Sequence, residues 1–356
     1  MTTSVTHYAS TEDGGSDIRI FPARLVQSEP FILDGKSVLV TGGTGSFGKA
    51  FVGIVLKRYK PRRLIVFSRD ELKQHEMRQV YPDGDDSPMR YFIGDVRSPA
   101  RLHLALYDVD IVVHAAALKQ VPACEYNPTE AIETNIWGVR NVIDAAIEDG
   151  VKQVIALSTD KSTAPSTLYG ATKLVGEKLF VQANAYSGQR VTRFSCVRYG
   201  NVIGSRGSVI PLWREQAKSG AVTITHPDMT RFLITLPQAV EFVLSSLAMM
   251  HGGEVFVPKL PSMRMDDLAE VVAPDTKKQL IGVRAGEKLH EAMVSDVESM
   301  RTVDLGDRYA ILPAHPWWSQ HNYPDAKPVA DGWSYSSDTN EWWLTLEEAR
   351  QLIGNT

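Results

Sequence analysis

The chain is poor in cysteine and has no long apolar runs. Its 356 residues include only two cysteines, Cys124 and Cys196, which form no CxxC pair and belong to no Cys/His cluster. A disulfide framework and a structural zinc site are therefore not expected, and the composition fits a reducing cytoplasm. The chain has no run of 18 apolar residues, so the sequence predicts no membrane span. Residues 1–17 are polar and acidic and lack the basic-then-apolar order of a secretion signal.

An excess of positive charge is also absent. The chain has 38 lysines and arginines against 42 aspartates and glutamates, a formal net charge of -4, so it offers no basic surface for nucleic acid. The histidines, among them His226 and His290, lack the grouping of metal ligands, and we predict no metal site. His114 follows an apolar strand and is interpreted as a core residue.

Short β-branched runs alternate with amphipathic segments from residue 36 onward. This alternation predicts an α/β fold with a Rossmann-type doubly wound parallel sheet. Residues 127–150 predict one long helix, with Asn127 as its cap and Pro128 in its first turn. After about residue 200 the pattern loosens, which indicates a smaller C-terminal substrate-binding lobe.

We divide the chain into four parts. They are an N-terminal extension over 1–33, whose role stays open, a cofactor-binding Rossmann domain with the catalytic residues over 34–200, a mainly substrate-binding lobe over 201–312, and an aromatic-rich tail over 313–356. The tail packs either onto the body of the molecule or onto a neighbouring subunit, and the first interpretation is favoured.

A glycine-rich turn follows the first predicted strand. VLVTGGTGSFG places Gly42, Gly45 and Gly48 between that strand and a helix. Glycine permits the tight turn and lets a pyrophosphate approach the backbone, and the helix N-terminus favours an anion. A purely structural turn is the alternative. The predicted dinucleotide-binding residues here are Thr41, Gly42, Thr44, Gly45, Ser46, Phe47 and Gly48.

The second predicted strand ends in Ser68, Arg69 and Asp70. A hydroxyl and a guanidinium suit a 2′-phosphate, because arginine binds it through charge-assisted bonds, so NADP is favoured over NAD. The alternative is a solvated Arg69, with Asp70 on the ribose of NAD. The other predicted cofactor residues are Lys73, then Asp95 and Val96 near the adenine, and Ala115, Ala116 and Ala117 beside the nicotinamide.

An acid, a phenol and two amines lie close together in STDKSTAPSTLYGATK, residues 158–173. Tyr169 and Lys173 are four residues apart and share one helix face. A phenol has a pKa of about 10, which a nearby ammonium and a positive nicotinamide ring lower. The phenolate then accepts a proton from a hydroxyl while hydride leaves to the cofactor, so both residues are also expected at the cofactor. Thr159 can hydrogen-bond the same oxygen.

Over roughly residues 34–300 the chain resembles the extended short-chain dehydrogenase/reductases. Sugar-nucleotide dehydratases of that group have Asp-Glu after the threonine, whereas this chain has Asp160-Lys161. That pair, with ALKQVP, RYGNV, GEKLHE and YSSDTN…WLTLEE, resembles the inverting UDP-N-acetylglucosamine 4,6-dehydratases. The resemblance implies a tightly bound, recycled NADP, UDP-N-acetylglucosamine or a close UDP-sugar as substrate, a homo-oligomer (hexamer or dimer), and a role at the start of the pathway to pseudaminic acid.

The chemistry that the resemblance implies is a loan of hydride. Tyr169 deprotonates the hydroxyl on carbon 4 as hydride passes to the cofactor, and the new ketone acidifies carbon 5. Lys161 is the candidate base for carbon 5, and Asp160 is the candidate acid for the hydroxyl that leaves carbon 6. Hydride then returns to carbon 6, and a proton returns to carbon 5 from the opposite face. Lys161 must be neutral for this: burial and Lys173 lower its pKa, Asp160 raises it, and the sequence leaves the balance open.

Substrate contacts also come from the resemblance. Asn201 is expected at the diphosphate, and Ser208, Val209, Ile210 and Pro211 around the uracil. Arg231 and Arg284 suit a diphosphate, because guanidinium groups pair with its oxygens. Glu287 can accept from ribose hydroxyls. The further candidates in the pocket are Lys119, Asn135, Tyr199 and Lys288.

Two residues depart from the expected pattern, and rival functions stay open. Ala164 and Thr167 stand where the family is expected to have asparagine, which puts the ring substituents of the substrate in doubt. The rivals are a capsule-type 4,6-dehydratase and epimerase, against which Tyr169 argues, and a 5,6-dehydratase of a nucleoside-antibiotic pathway. A non-enzymatic rival is an NADP-binding redox-sensing regulator, against which the complete set of catalytic residue types argues.

Overall fold

The computed structural model describes residues 32–187, 192–205, 207–319 and 322–354. The extension predicted over 1–33 therefore lies outside the described residues, except for Ile32 and Leu33. None of the described helices is both long enough and apolar enough to cross a membrane.

The strands and helices alternate along the first two thirds of the described chain. The strands are β1 (Ser37–Thr41), β2 (Arg63–Ser68), β3 (Met89–Ile93), β4 (Ile111–His114), β5 (Gln153–Leu157), β6 (Arg193–Val197), β7 (Asn201–Val202), β8 (Ala221–Ile224), β9 (Thr230–Ile234), β10 (Val255–Pro258), β11 (Ser262–Arg264), β12 (Lys277–Leu280), β13 (Ala292–Val294), β14 (Thr302–Asp304), β15 (Arg308–Ile311), β16 (Lys327–Pro328) and β17 (Tyr335–Ser336). The helices are α1 (Ser46–Arg58), α2 (Glu71–Val80), α3 (Pro99–Leu106), α4 (Val121–Tyr126), α5 (Pro128–Ile132), α6 (Gly138–Glu148), α7 (Leu168–Tyr186), α8 (Val209–Ala217), α9 (Leu236–Met249), α10 (Met265–Val272), α11 (Asp296–Ser299) and α12 (Leu346–Gly354).

One large sheet organises the molecule. Seven parallel strands lie in the order β3-β2-β1-β4-β5-β6-β10, which confirms the predicted Rossmann-type doubly wound sheet. Three further strands continue it beyond β10 in the order β15-β14-β16, and their pairings are antiparallel. All five residues of β1 are buried, as expected where helices cover both faces of a parallel sheet.

The strand order reverses at β1, which lies between β2 and β4. Val40 of β1 is level with Val66 of β2 and Val113 of β4, so the carboxyl ends of the three strands lie at one edge. In doubly wound sheets, ligands bind outside this edge at the point of reversal. The sheet therefore brings the glycine-rich turn after β1 together with the segment that follows β4.

A second, smaller core lies beside the main one. It is built around Trp213 and Val222 and includes Leu268 of α10. Leu352 and Ile353 of α12 are buried in the same cluster, so the end of the chain contributes to this lobe. The division into four parts stays a prediction.

The helix predicted over 127–150 is present from residue 128 to residue 148 and contains a π-helical turn. α5 and α6 are joined by a π-helical turn over Glu133–Trp137, which carries Asn135. The amide of Asn135 donates to the Leu118 carbonyl and accepts from the Leu118 N–H, both at 2.8 Å. Asn127 is the N-cap residue of α5, as predicted, but its side chain makes no capping bond, because its amide donates to the Ala123 carbonyl at 3.0 Å.

Candidate active site

The glycine-rich turn has the geometry expected of a pyrophosphate site. Gly42 has a φ of +64°, and a Cβ added there would lie 2.9 Å from the Ala116 nitrogen, so only glycine fits. α1 begins directly after Gly45, its N-cap. Thr44 is buried, and Phe47 stacks on Phe51 at 5.9 Å. Backbone groups and the helix N-terminus are thereby brought together, as an anion requires.

The side chain of Thr41 connects this turn to the segment after β4. Its hydroxyl accepts from the N–H groups of Ala115 and Ala116 at 3.1 and 3.2 Å, and it lies 2.9 Å from Nδ1 of His114. Burial lowers the pKa of His114 to about 3, so this imidazole is neutral. His114 is thus the core residue that the sequence predicted.

The end of β2 presents one exposed charge. Asp70 caps α2 by accepting from the Lys73 N–H at 3.0 Å, and its carboxylate also pairs with the Lys73 ammonium. The hydroxyl of buried Ser68 accepts from the side-chain amide of Gln74 at 3.0 Å. The side chain of Arg69 is 49% exposed and lies 3.4 Å from Asp95. The carboxylate of Asp70 is therefore engaged within its own helix, whereas the guanidinium of Arg69 makes one long contact with Asp95 and is otherwise about half exposed.

The third predicted cofactor segment is anchored by a charge pair. Asp95 accepts from the backbone N–H of Arg97 at 2.9 Å and from its guanidinium at 2.8 Å. Partial burial acts to raise the pKa of Asp95, but these bonds hold it below its ordinary value. Val96 beside it is buried. This fixes the loop where the adenine was predicted to lie.

Tyr169 lies in the first turn of α7 and is only 9% exposed. Burial raises the pKa of its phenol to about 12, and the Lys161 ammonium acts in the opposite direction. Lys173, the amine expected to lower this pKa, donates to the Leu157 carbonyl at 2.7 Å, and its effect on Tyr169 beside a bound cofactor stays a prediction. Lys161 is the amine that favours the phenolate here.

The Asp160-Lys161 pair lies on a short 3-10 turn that follows β5. The Lys161 amine is 3.0 Å from Oδ1 of Asp160, which also accepts from the Thr159 hydroxyl at 2.8 Å. Asp160 is 1% exposed, and its Oδ2 has no partner among the described residues. Burial acts to raise the pKa of Asp160, but Lys161 and Thr159 lower it, so the carboxyl is ionised.

The sequence left open whether the Lys161 amine is protonated, and two neighbouring carboxylates determine the answer. Burial acts to lower the pKa of Lys161, but Asp160 and Glu291 together raise it well above its ordinary value. Lys161 is therefore an ammonium in the protein alone, and the neutral amine that a base needs is not its resting form.

Glu291 is the site residue that sequence reasoning missed. Its Oε1 lies 3.4 Å from the Lys161 amine and 3.9 Å from Nε of Arg231. The residue is 2% exposed. The one signal in the sequence was its position at the end of GEKLHE, a motif of the resemblance that does not say which of its side chains reaches Lys161.

The two predicted arginines differ in exposure. Arg231 is buried, and its guanidinium donates to the carbonyls of Thr230, Lys288 and Leu289 at 2.7 to 3.0 Å. Arg284 is exposed, and its backbone N–H lies 3.5 Å from the Glu287 carboxylate. Arg231 thus stabilises the loop before β13, whereas the side chain of Arg284 lies at the surface.

The remaining predicted substrate residues fall into three groups. Oδ1 of Asn201 and the hydroxyl of Ser208 are buried and unpartnered within the described chain, as expected of atoms that await a ligand. Ile210 belongs to the second core, and Val209 packs against it, so of the four uracil candidates Pro211 is the exposed one. Tyr199 is buried in the main core, and Lys119 is exposed.

Loops from distant parts of the chain meet around the Asp160-Lys161 turn. The Lys288 amine donates to the Thr163 carbonyl at 2.5 Å, and the Ser166 hydroxyl donates to the Gly286 carbonyl at 2.6 Å. A Cβ added to Gly207 would lie 2.5 Å from the side chain of Gln120. The segments after β4, β5 and β7 and the one before β13 therefore border a common region, with Tyr169 and Lys161 within it.

The two departures from the expected asparagines have local consequences. Ala164 has a φ of +41°, a left-handed conformation that asparagine adopts more readily than alanine. Thr167 caps α7 by accepting from the Gly170 N–H at 3.1 Å, a function that threonine and asparagine share. Only the first departure therefore carries backbone strain.

Acidic and sulfur ligands for a metal do not cluster. Across residues 32–354, apart from the short undescribed segments, no three His, Cys, Asp or Glu side chains are grouped so that they could hold a metal ion.

Residues 38–313 match the family model described as polysaccharide biosynthesis protein. The chain belongs to this family. A family member from Campylobacter jejuni (serotype O:23/36, strain 81-176), described as UDP-N-acetylglucosamine 4,6-dehydratase (inverting), is 50% identical over 91% of this chain and 99% of its own length. A UDP-glucose 4-epimerase from Rickettsia conorii is 43% identical over 89% of this chain and 95% of its own.

A solved structure is similar to this chain over most of its length. The X-ray structure of Pen from Bacillus thuringiensis has a TM-score of 0.83 and 40% identity, and the match covers 91% of this chain and 98% of Pen. The similarity to Pen thus extends over most of the chain, including residues that follow the Rossmann part.

Proposed function

We propose that this protein is a UDP-N-acetylglucosamine 4,6-dehydratase that inverts carbon 5 and recycles a bound NADP. The observation that carries the proposal is the contact between buried Asp160 and half-buried Lys161 near Tyr169, an acid and an amine on the turn after β5. The 50% identity to the inverting dehydratase supports the same substrate and stereochemistry. The product is a UDP-4-keto-6-deoxy-L-sugar, suited to pseudaminic acid or a related glycan sugar.

The first step requires a proton acceptor at carbon 4. When bound, the nicotinamide takes hydride from carbon 4 and returns it to carbon 6. Tyr169 accepts the proton of the carbon 4 hydroxyl, and the Lys161 ammonium favours the phenolate that this role needs. The Thr159 hydroxyl donates to Oδ1 of Asp160 in the same site. The Lys173 amine donates to the Leu157 carbonyl.

The second step follows from the contact between Asp160 and Lys161. One proton transfer across the 3.0 Å from Nζ to Oδ1 converts the resting ion pair into a carboxylic acid and a neutral amine. The amine takes the proton from carbon 5, and the electron pair forms the bond between carbons 5 and 6. The acid gives its proton to the carbon 6 hydroxyl, which leaves as water. A proton then returns to carbon 5 from the opposite face.

The end of β2 supports NADP over NAD. The carboxylate of Asp70 is already engaged by the backbone and amine of Lys73. Arg69 is the exposed charge at this position, and a guanidinium pairs with a 2′-phosphate. Gly42 and α1 supply the pyrophosphate site in either case.

The UDP part of the substrate has candidate contacts on the other side of the site. Asn201 and Ser208 offer unpartnered polar atoms, and Arg284 offers an exposed guanidinium for the diphosphate. Glu287 is the proposed acceptor for ribose hydroxyls. A homo-oligomer, hexameric or dimeric, stays a prediction.

Product analysis in deuterated water tests the proposal. Incubation with UDP-N-acetylglucosamine should give, by NMR, a 4-keto-6-deoxy sugar with inverted configuration and one deuterium at carbon 5. Unchanged substrate would contradict the proposal and revive a redox-sensing regulator. A second inversion at carbon 3 would point to the capsule-type enzyme, and a 5,6-ene product to the nucleoside-antibiotic type.

A 4-epimerase is the second candidate, because the Rickettsia relative with that name is 43% identical. Both reactions begin with oxidation at carbon 4, for which Tyr169 suffices. An acid and an amine at carbons 5 and 6 are needed only by the dehydratase. The carbon 4 epimer as sole product would favour the epimerase.

A further inference from the structure

Glu291 and Asp160 hold the Lys161 amine from two different parts of the chain. Asp160 precedes Lys161 on the turn after β5, whereas Glu291 lies directly before β13. The distances from the amine to the two carboxylates are 3.0 and 3.4 Å. The amine is therefore an ammonium between two anions.

The backbone at Glu291 is fixed by the C-terminal tail. The Glu291 N–H donates to the Ser337 hydroxyl at 3.0 Å, and the Ser337 N–H donates to the Glu291 carbonyl at 2.8 Å. Ser337 is fully buried, and its hydroxyl is 2.7 Å from the hydroxyl of Thr230. These bonds fix the backbone of Glu291 and therefore the point from which its side chain extends towards Lys161.

The carboxylate of Glu291 lacks the bonds of a structural core glutamate. Its Oε2 is buried without a partner among the described residues, and the two terminal nitrogens of Arg231 donate to carbonyls, which leaves only its Nε, 3.9 Å from Oε1 of Glu291. Glu254, by contrast, is fully buried and accepts from Ser195, Tyr323 and backbone N–H groups through both oxygens. A buried carboxylate that leaves one oxygen unpaired and turns the other to Lys161 needs an explanation beyond packing.

We propose that Glu291 is a positioning residue that sets the charge and the place of the Lys161 amine. With both carboxylates ionised, the proton stays on Lys161, and the transfer to Asp160 that creates acid and base is costly. Neutralising Glu291 makes that transfer easier, so its charge sets the balance between the resting and the reactive form. The inference deepens the proposed function, on which its catalytic meaning rests.

Few other charged groups surround this pair. Arg231 on β9 and Lys288 on the loop before β13 face Glu291, and Asp160 faces it from the turn after β5. His290 bonds the Thr230 hydroxyl at 2.8 Å, and Asp338 of the tail lies near His290. Burial and Asp160 raise the pKa of Glu291 above its ordinary value, so it can take up a proton more readily than Asp160.

Competitive labelling of lysines measures the charge of Lys161 directly. The intact protein and its Glu291→Gln variant are treated with trace acetic anhydride near pH 9, and the acetylation of each lysine is followed by mass spectrometry. Only the neutral amine reacts, and a charge at this distance moves a pKa by about 1 to 3 units. We expect Lys161 in Glu291→Gln to react at least about tenfold faster, relative to solvent-exposed lysines in the same sample.

Two variants make the result specific. Glu291→Asp keeps the charge but withdraws it, so Lys161 should react faster than in the unchanged protein and more slowly than in Glu291→Gln. It also keeps the test available should the glutamine variant not fold. Glu254→Gln removes an equally buried charge outside the site and should leave Lys161 labelling unchanged.

Equal labelling of Lys161 with glutamate or glutamine at 291 would overturn the inference, as would an equal effect of Glu254→Gln. The outcome does not depend on turnover. A protein that fails to convert UDP-N-acetylglucosamine but shows the labelling change loses the proposed function and keeps this inference. A protein that converts it without the labelling change loses only the inference.

Discussion

Tyr169 illustrates how burial and charge compete over a single side chain. Its phenol is nearly inaccessible, and burial raises its pKa to about 12. The charge that favours the phenolate is the Lys161 ammonium. Asp160 and Glu291 in turn raise the pKa of Lys161, so that its amine stays protonated. The proton-accepting power of Tyr169 therefore depends on residues to which the proposed mechanism gives roles at carbons 5 and 6 of the sugar.

Replacing Tyr169 by phenylalanine should stop the first oxidation. The ring keeps its packing, but the acceptor for the carbon 4 proton is lost, so turnover should fall by about 10²- to 10⁴-fold. Product formation is measured by NMR, with the affinity for UDP and the unfolding temperature as controls for folding. Turnover within a few-fold of the unchanged protein would remove Tyr169 from the role.

A buried charge network connects the Asp160-Lys161 turn to three elements. Arg198, just after β6, donates to both oxygens of Glu177 on α7 and to both oxygens of Glu298 on α11. Ser162 on the Asp160-Lys161 turn donates to Glu177 at 2.7 Å, and the Thr163 hydroxyl accepts from Arg198 at 2.9 Å. Buried charges are tolerated when they are paired this completely, and loss of one partner leaves the others uncompensated.

This network predicts a loss of stability in acid. Burial acts to raise the pKa of Glu298, but Arg198 lowers it from 4.5 to about 2, a gap worth roughly 3 kcal/mol. Because the folded-state pKa is depressed, this stability is present above about pH 4.5 and is lost as the pH falls towards 2. Urea unfolding at several pH values measures it. Glu298→Gln should be less stable at pH 7 and should show a shallower fall below pH 4.5, and a fall parallel to that of the unchanged protein would contradict the prediction.

Helices, strands and turns could be predicted from local patterns in the sequence. Contacts between elements that are distant in sequence could not. The turn around Gly42 and the helix that carries Tyr169 and Lys173 are contiguous in sequence, so their spacing suffices to predict them. The π-helical turn at Asn135 depends on two bonds to Leu118, which no helical periodicity reveals. The same limit applies to the contact of Glu291 with Lys161, because it requires β13 to pack against the turn after β5.

At the scale of the whole molecule, the C-terminal tail contacts the side of the site where we propose that the substrate binds. Ser337 holds Glu291, and β17 pairs with β13. The Asn340 amide donates to the Leu260 carbonyl at 2.8 Å, and α12 fills the second core. The terminal aromatic motif was recognisable in the sequence, but its place beside Glu291 follows from the three-dimensional arrangement alone.

Removing α12 should therefore weaken the binding of UDP more than the binding of NADP. A chain that ends at Thr345 loses the buried side chains of Leu352 and Ile353, each worth about 1.5 to 3 kcal/mol, which is a large share of the stability of a small lobe. The cofactor turn at Gly42 belongs to the main core and is not touched. We expect the affinity for UDP to fall at least about tenfold, since 3 kcal/mol is more than two powers of ten, while NADP affinity stays within about twofold.

Calorimetric titration of UDP and NADP into the shortened and the full chain measures both. Glu347→Ala, at an exposed position of the same helix, is the matched control and should change neither affinity. Equal weakening of both ligands would mean that the substrate lobe and the Rossmann part unfold together. In that case the four-part division, and the view that the tail acts through the substrate side alone, would both be wrong.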